Sequence, residues 1–280
     1  MKNLKRIKHL LQMIVSITKE EQKIPIISRV ENSELLDGRV ALITGGSGGI
    51  GEVIAKKLVN SGCKVIIAGT NEEKLISCLE RCGAHKTIVI NMNNIEQFEE
   101  KIEEAASFFG KIDILVHSAG IHTKRENLDF INITEKEYDD VMDVNLKGAY
   151  FMCQSMGRYM INNGIKGNIL LVSSQKALEP SWSPYRLSKL GLSGITKGIA
   201  QRLIPYGIIV NAIGPGPTAT SMVDLGVRGS IYSNENVLNR YIMPEEVAEY
   251  AVMLVSELGK LVIGDTIYVT AGQGIINDIK

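Results

Sequence analysis

Tyr185 and Lys189 stand four residues apart, so on a helix their side chains project from one face, one turn above the other. A free phenol has a pKa near 10, too high to exchange a proton well at neutral pH. An ammonium one turn away favours the phenolate, and lowering the phenol by about three units takes about 4 kcal/mol of differential stabilisation. Such a phenol can act as general acid or general base on a reacting oxygen. Ser173 and Ser174 follow the apolar run Asn168–Val172, and a hydroxyl at that point can donate to an oxygen on which negative charge develops. Each feature also has an ordinary explanation: an amphipathic pair, a turn, and, for Asn145, a polar contact inside a helix. Their meaning depends on what the rest of the chain builds around them.

Short apolar runs alternate with helical patterns from residue 39 onward. Strands are expected at 39–44, 64–68, 87–90, 112–116, 168–172, 208–210 and 266–269. Helices are expected at 50–61, 71–82, 95–109, over most of 135–159, at about 184–203 and at 244–258. Continuous apolar strands separated by amphipathic helices imply an α/β fold: a doubly wound parallel sheet of about seven strands with helices on both faces. There is no internal repeat and no second strand–helix system. Residues 1–37 are expected to be an extension and 38–280 a single Rossmann-type domain.

Between the first strand and the first helix lies Thr44-Gly45-Gly46-Ser47-Gly48-Gly49-Ile50-Gly51. Glycines there let the chain turn sharply and let a pyrophosphate approach the backbone, while the helix N-terminus offers free N–H groups and a partial positive charge. Glycine alone marks any tight turn. A glycine run that closes a first strand and opens a helix points to a dinucleotide.

The spacing Thr-Gly-x-x-x-Gly-x-Gly resembles that of the short-chain dehydrogenase/reductase family, and the resemblance extends over residues 37–275. Tyr185-Arg-Leu-Ser-Lys189 is similar to the family's Tyr-x-x-x-Lys. Ser174 follows the fifth strand as its serine does, and Asn145, in Val-Asn-Leu-Lys-Gly, matches its helical asparagine. Asn211-Ala-Ile-Gly-Pro-Gly216 with Thr220 resembles the segment beside the nicotinamide, and Arg240 with Pro244-Glu-Glu-Val-Ala248 the end of the substrate loop. The resemblance implies hydride transfer between NAD(P) and a ketone or secondary alcohol, with Tyr185 as acid/base. It assigns Lys189 to the nicotinamide ribose, Ser174 to the substrate oxygen and Asn145 to a water that resupplies protons. The implied cofactor surface comprises Gly45, Ser47, Gly48, Gly49, Ile50 and Gly51 in the turn, and Thr70, Asn91 and Met92 at the ends of the next two strands. Ser118, Ala119 and Gly120 after the fourth strand join it, as do Tyr185, Lys189, Pro215, Thr218 and Thr220.

Departures from the family pattern matter. His117-Ser118-Ala119-Gly120 stands where the family usually has Asn-Asn-Ala-Gly, and Asn91 replaces its usual aspartate, although an asparagine oxygen accepts the same hydrogen bond. The stretch from Ser174 to Tyr185 is about two residues shorter than is common, which keeps Ser173 open as the alternative serine. The second strand ends in Ala68-Gly69-Thr70-Asn71, without the carboxylate that would bond a ribose 2′-hydroxyl and repel a 2′-phosphate. NADP is therefore expected over NAD, with the Thr70 hydroxyl on the phosphate, even though Gly48 leaves the turn without an arginine.

Thirty-one basic and 31 acidic residues cancel, which argues against nucleic acid or an anionic membrane as partner. Cys63, Cys78, Cys82 and Cys153 are too few for a disulfide framework and read as reduced thiols of a cytoplasmic protein, with Cys78 and Cys82 packing in the core. His117 and His122 lack metal-ligand spacing and are expected to line the pocket or lie in the core; no metal site is expected. Trp182 is placed either at the substrate mouth or in packing. Leu4, Ile7, Leu11 and Ile14 recur at helical spacing behind Lys2, Lys5, Arg6 and Lys8, without a signal cleavage site or a bilayer-spanning run. That helix is expected to dock on its own domain or a neighbouring subunit, with residues 1–20 as a membrane-surface anchor the alternative. The region from Thr218 to Tyr241, with Ser221, Met222, Val223, Leu225, Gly226, Val227 and Gly229, reads as a lid, and Lys124 and Arg125 as a sparse basic patch. The resemblance further implies a homodimer or homotetramer. The other functional readings are reduction of a 3-oxoacyl thioester on an acyl-carrier protein and a dinucleotide-binding sensor or scaffold that has lost catalysis.

Overall fold

The computed structural model describes residues 35–123, 128–220, 231–233 and 236–274. The expected N-terminal helix, half of the lid region (221–230 and 234–235) and the Lys124–Arg125 patch fall outside the described residues. Seven strands form one sheet: β1 (Val40–Thr44), β2 (Lys64–Gly69), β3 (Lys86–Val89), β4 (Ile114–His117), β5 (Asn168–Val172), β6 (Ile209–Pro215) and β7 (Thr266–Val269). Their order is β3-β2-β1-β4-β5-β6-β7, and every pairing is parallel. The chain reverses direction of travel between β1 and β4, so the switch point opens at the carboxyl ends of these two strands, where ligands of open α/β sheets bind.

Seven helices cover the sheet: α1 (Gly49–Asn60), α2 (Glu72–Cys82), α3 (Phe98–Ser107), α4 (Glu135–Met142), α5 (Gly148–Asn162), α6 (Pro184–Leu203) and α7 (Pro244–Val255). Because side chains alternate across a strand, the sheet presents two apolar faces. Leu42, Ile66, Leu115 and Ile169 pack with Phe98, Ile102, Met152, Met156 and Leu192 from α3, α5 and α6. Ile43, Ile67, Ile114 and Val116 pack on the other side with Ile54, Leu58, Leu75, Val247 and Ala251 from α1, α2 and α7. Cys78 and Cys82 belong to this second face, and all four thiols are buried and unpaired by disulfide.

Local chemistry sets the helix ends that matter for the site. Ser183 caps α6, its side chain accepting from Arg186 N, and Pro184 occupies the first turn, where its missing N–H costs nothing. Asn71 caps α2 by accepting from Lys74 N at 2.8 Å, and Gly83 ends that helix at φ +72°. The expected helix over 135–159 is interrupted: Asp143–Lys147 forms a π turn between α4 and α5. The structure lengthens the sixth strand to Pro215 and carries the fourth to His117, where pairing with neighbours continues past the most apolar residues.

Candidate active site

The glycine turn closes β1 against β4. Gly45 has φ +64°, and a Cβ there would lie 2.7 Å from the Ala119 backbone. Gly46 N donates to Ala68 O and Gly48 N to Gly45 O, which draws the turn over the end of β2. The N-terminus of α1 has Gly48 at its cap and no side chain bonded to it. Its first N–H groups thus remain available to an anion, and the turn fits the pyrophosphate of a dinucleotide.

Ser47, Lys74, Ser77 and Arg81 line a cavity of about 640 Å³ beside this turn. A Cβ on Gly69 would meet the Ser47 hydroxyl at 3.5 Å, which places that hydroxyl over the end of β2, next to exposed Thr70. Arg81 is committed to Glu52 through two 2.8 Å hydrogen bonds, whereas the Lys74 ammonium has no partner among the described residues. Asn91 Oδ1 already accepts from Asn93 N at 3.0 Å, so one lone pair of that oxygen is taken up locally. Met92 is 5% exposed and packs under the start of α5 against Gly148, a core position as much as a cofactor wall.

A larger cavity of about 1250 Å³ opens at the switch point. Ile50, Gly120, Pro215, Thr218 and Thr220 line its cofactor side; Ser173, Ser174, Trp182 and Tyr185 line the other. Ser173 and Ser174 are sharply distinguished. The Ser173 hydroxyl donates to Lys189 O at 3.0 Å and meets Ser193 Oγ at 3.3 Å, tying β5 to α6. The Ser174 hydroxyl caps the turn after β5 by accepting from Lys176 N and is the side chain that holds the Tyr185 pKa down against burial. Ser174 is the serine at the phenol.

Tyr185 and Lys189 share a face of α6, with Nζ 5.6 Å from the centre of the phenol ring. Nζ donates to Val172 O at 3.0 Å. Burial raises the Tyr185 phenol pKa, and the interaction with Ser174 opposes it. Burial also depresses Lys189 from 10.5 to about 8, so the lysine is mostly cationic at neutral pH. That depression corresponds to about 3 kcal/mol of destabilisation, present below pH 8 and fading between pH 8 and 10.5 as the unfolded chain alone stays protonated. Lys189→Met is accordingly expected to abolish turnover and yet to raise the melting temperature by about 2 °C in a thermal scan at pH 7, the lost bond to Val172 O offsetting part of the gain.

Asn145 sits fully buried in the π turn. Its Oδ1 accepts from Ile121 N at 2.7 Å, and its Nδ2 donates to Ile121 O at 2.9 Å and to Ser188 Oγ at 3.2 Å. The side chain therefore pins the loop after β4 to α6, with both amide protons spent. A π turn widens the helix by one residue and recurs at functional sites. Here it brings an amide across to the residue preceding Lys189, a link sequence spacing does not reveal.

The two histidines are placed apart in role. His117 is buried, bonded to Thr44 Oγ1 at 3.0 Å, and burial together with the Lys189 charge drops its pKa to about 3, so it is a neutral core residue. His122 lies on the cavity wall, its ring 4.5 Å from that of Tyr185 and its Nδ1–H bonded to Thr123 O at 2.6 Å. Trp182 lines the mouth, 38% exposed, with the Arg186 guanidinium 5.2 Å from its ring centre. Lys176 and Arg186 also reach this wall. They were overlooked in the sequence, where their adjacency to Ser174 and Tyr185 was the available signal.

A family model described as Enoyl-(Acyl carrier protein) reductase matches residues 45–273, nearly the entire domain. The chain belongs to the short-chain dehydrogenase/reductase family. As a member it is an oxidoreductase of carbonyl and alcohol substrates that uses NAD(P). The short-chain enzyme resembles the 3-oxoacyl-(acyl-carrier-protein) reductase of Aquifex aeolicus, with 34% identity over 249 residues, covering 85% of this chain and 98% of that one. The 2-dehydro-3-deoxy-D-gluconate 5-dehydrogenase of Dickeya dadantii is 32% identical over 255 residues, covering 86% and 97%. Among solved structures, an actinorhodin polyketide ketoreductase variant with NADPH superposes with a TM-score of 0.76 at 25% identity, over 85% of this chain and 98% of that one. No helix among the described residues is long and apolar enough to cross a membrane.

Proposed function

We propose that this short-chain enzyme reduces a ketone to a secondary alcohol, with NADP as cofactor, Tyr185 delivering the proton and Ser174 holding the oxygen. The observation that carries the reading is the Tyr185 phenol and Ser174 together in the wall of the large cavity, with buried Lys189 one turn away, its Nζ 5.6 Å from the phenol ring centre. The cofactor, once bound along the glycine turn, supplies the hydride. Tyr185, kept protonated by burial, donates its proton to the oxygen as the carbonyl is reduced. Ser174 donates to the same oxygen as its charge grows. Lys189, fixed by Val172 O, presents its ammonium to the ribose side of the cavity and to the phenol. Asn145 holds the loop that carries Gly120 and Ile121 against α6.

The test is turnover of a carbonyl panel, followed by loss of NADPH absorbance. Turnover of ketones with a rate that collapses in Tyr185→Phe supports the reading; binding of cofactor without any turnover would point to a sensor. Ser174→Ala is expected to lower kcat by about 10²–10³-fold, the usual effect of losing one oxyanion donor. Ser173→Ala should instead lower the melting temperature with kcat within a few-fold, since its hydroxyl ties β5 to α6.

Support for NADP comes from β2 itself, which ends at Gly69 and runs into Thr70 without a carboxylate, with the Ser47 hydroxyl and Lys74 on the adjoining cavity wall. That wall also carries Glu73, and Glu52 paired with Arg81. Thr70→Asp should weaken NADPH binding by about 30-fold or more while leaving NADH within a few-fold, because a carboxylate repels the 2′-phosphate and accepts from a 2′-hydroxyl. Fluorescence titration with both cofactors reads the ratio. A second reading, reduction of a 3-oxoacyl thioester on a carrier protein, is favoured by the family description and by the Aquifex relative. Half-exposed Tyr150 on α5 and Leu190 on α6 support self-association of the chain, testable by solution mass.

A further inference from the structure

The substrate side of the large cavity carries an uneven charge. Among its described lining residues Lys176 and Arg186 are cationic and none is acidic. Both cations lean on one carboxylate behind the wall, Glu179. Lys176 Nζ donates to its two oxygens at 2.8 and 3.1 Å, Arg186 Nη1 stands 2.6 Å from Oε2, and Gln175 Nε2 adds a bond to Oε1 at 2.9 Å. Two positive charges shared on one negative charge leave one positive charge in excess at the mouth. The Arg186 fork is held in place on two sides: Nη1 is anchored on Glu179 and Pro180 O, and the guanidinium carbon sits 5.2 Å from the Trp182 ring centre. Its Nε and Nη2 have no partner among the described residues, and a fixed guanidinium edge is the donor geometry that matches a carboxylate. Arg186 directly follows Tyr185, so the anion site and the proton donor stand on the same first turn of α6.

We propose that Arg186, with Lys176 beside it, binds the carboxylate of the substrate, which is therefore an oxoacid on the reduction side and a hydroxyacid on the other. This deepens the reading that Tyr185 and Ser174 act on the substrate oxygen, and it rests on that reading. The carboxylate takes no part in bond making. The carbonyl carbon gains the hydride, its oxygen gains the Tyr185 proton, and the anion, anchored at Arg186, sets which carbonyl along the molecule meets the phenol. A single excess positive charge matches a monoanion, whereas a phosphate dianion would be left undercompensated.

The experiment compares kcat/KM for matched pairs: acetoacetate, 4-oxopentanoate and 5-oxohexanoate, each against its methyl ester. Dihydroxyacetone phosphate and acetoacetyl-N-acetylcysteamine complete the panel. One acid is expected to exceed its ester by about 30-fold or more, mostly through KM. Arg186→Met should cut that acid-to-ester ratio at least tenfold, and Glu179→Gln, which keeps the hydrogen-bonding shape but removes the shared negative charge, should lower KM for the acid. Opposite signs in the two variants are the electrostatic signature; a purely structural clamp would be weakened by both. Should Arg186→Met fail to fold, the wild-type protein decides, since glutarate should then inhibit competitively and glutaramide should not. Esters used as well as acids, the neutral thioester preferred, or the phosphate preferred would each overturn the carboxylate site while leaving the Tyr185 reading intact. No turnover of any carbonyl would strike the Tyr185 reading itself.

Discussion

Tyr185→Phe is expected to lower kcat by about 10³-fold or more with little change in cofactor affinity. The substitution removes one oxygen and leaves the ring, so its contact with His122 and its place on α6 persist. What is lost is the proton donor, and general acid catalysis of this kind contributes about 10²–10⁴-fold. The Ser174 hydroxyl also loses the partner that orients it, so the two losses compound and a double variant, Tyr185→Phe with Ser174→Ala, should be far from additive. Steady-state rates of NADPH oxidation measure the first effect, and cofactor titration by fluorescence separates it from binding. Residual activity within tenfold of the unaltered protein would show that the proton comes from elsewhere.

The second large effect is expected at Gly45. A side chain there would need the left-handed backbone, at about 1–2 kcal/mol, and would place its Cβ 2.7 Å from the Ala119 backbone, where no flexible side chain can yield. Either the turn lifts from β4 or β4 shifts, and in both cases the N–H groups at the start of α1 move away from the pyrophosphate. Gly45→Ala should raise the Kd for NADPH by about 30-fold or more and lower the melting temperature by several degrees, read by titration and by thermal unfolding. Gly110→Ala provides the contrast. That glycine also has positive φ (+82°) but nothing within 4 Å of its added Cβ, so stability should fall slightly and cofactor affinity should not change.

The strands, the parallel sheet they form and the dinucleotide turn were legible because they follow from local pattern: apolar strands, a glycine cluster at the first strand–helix junction, and helices whose apolar faces repeat. The order of the strands rests on pairings between distant residues. Strand ends were less so, since β6 runs on through Gly214 and Pro215 by pairing with β7, a contact between distant residues. Tyr185 and Lys189 are one turn apart in any helix, and their shared face needed no tertiary information. The choice between Ser173 and Ser174 did. Adjacent residues on an extended chain point in opposite directions, and only the packed structure shows which hydroxyl meets the phenol and which meets Lys189 O. The desolvation of Tyr185 and Lys189 is likewise not readable from their spacing, because it depends on what surrounds them. The π turn is invisible to a 3.6-residue period, which reads most of residues 135–159 as one helix.

That turn has a bearing on how this chain can change. The wide turn between Asp143 and Lys147 takes up one surplus residue. Met152, Met156 and Met160, beyond the turn, pack into the core against the sheet. Asn145 aside, amino-acid type in the segment matters less than its count. Loss of a single codon would close the wide turn into an unbroken helix with those methionines still against the sheet, but would remove the widening that carries Asn145 to Ile121, so descendants of this gene should preserve the length of this stretch even where its letters differ.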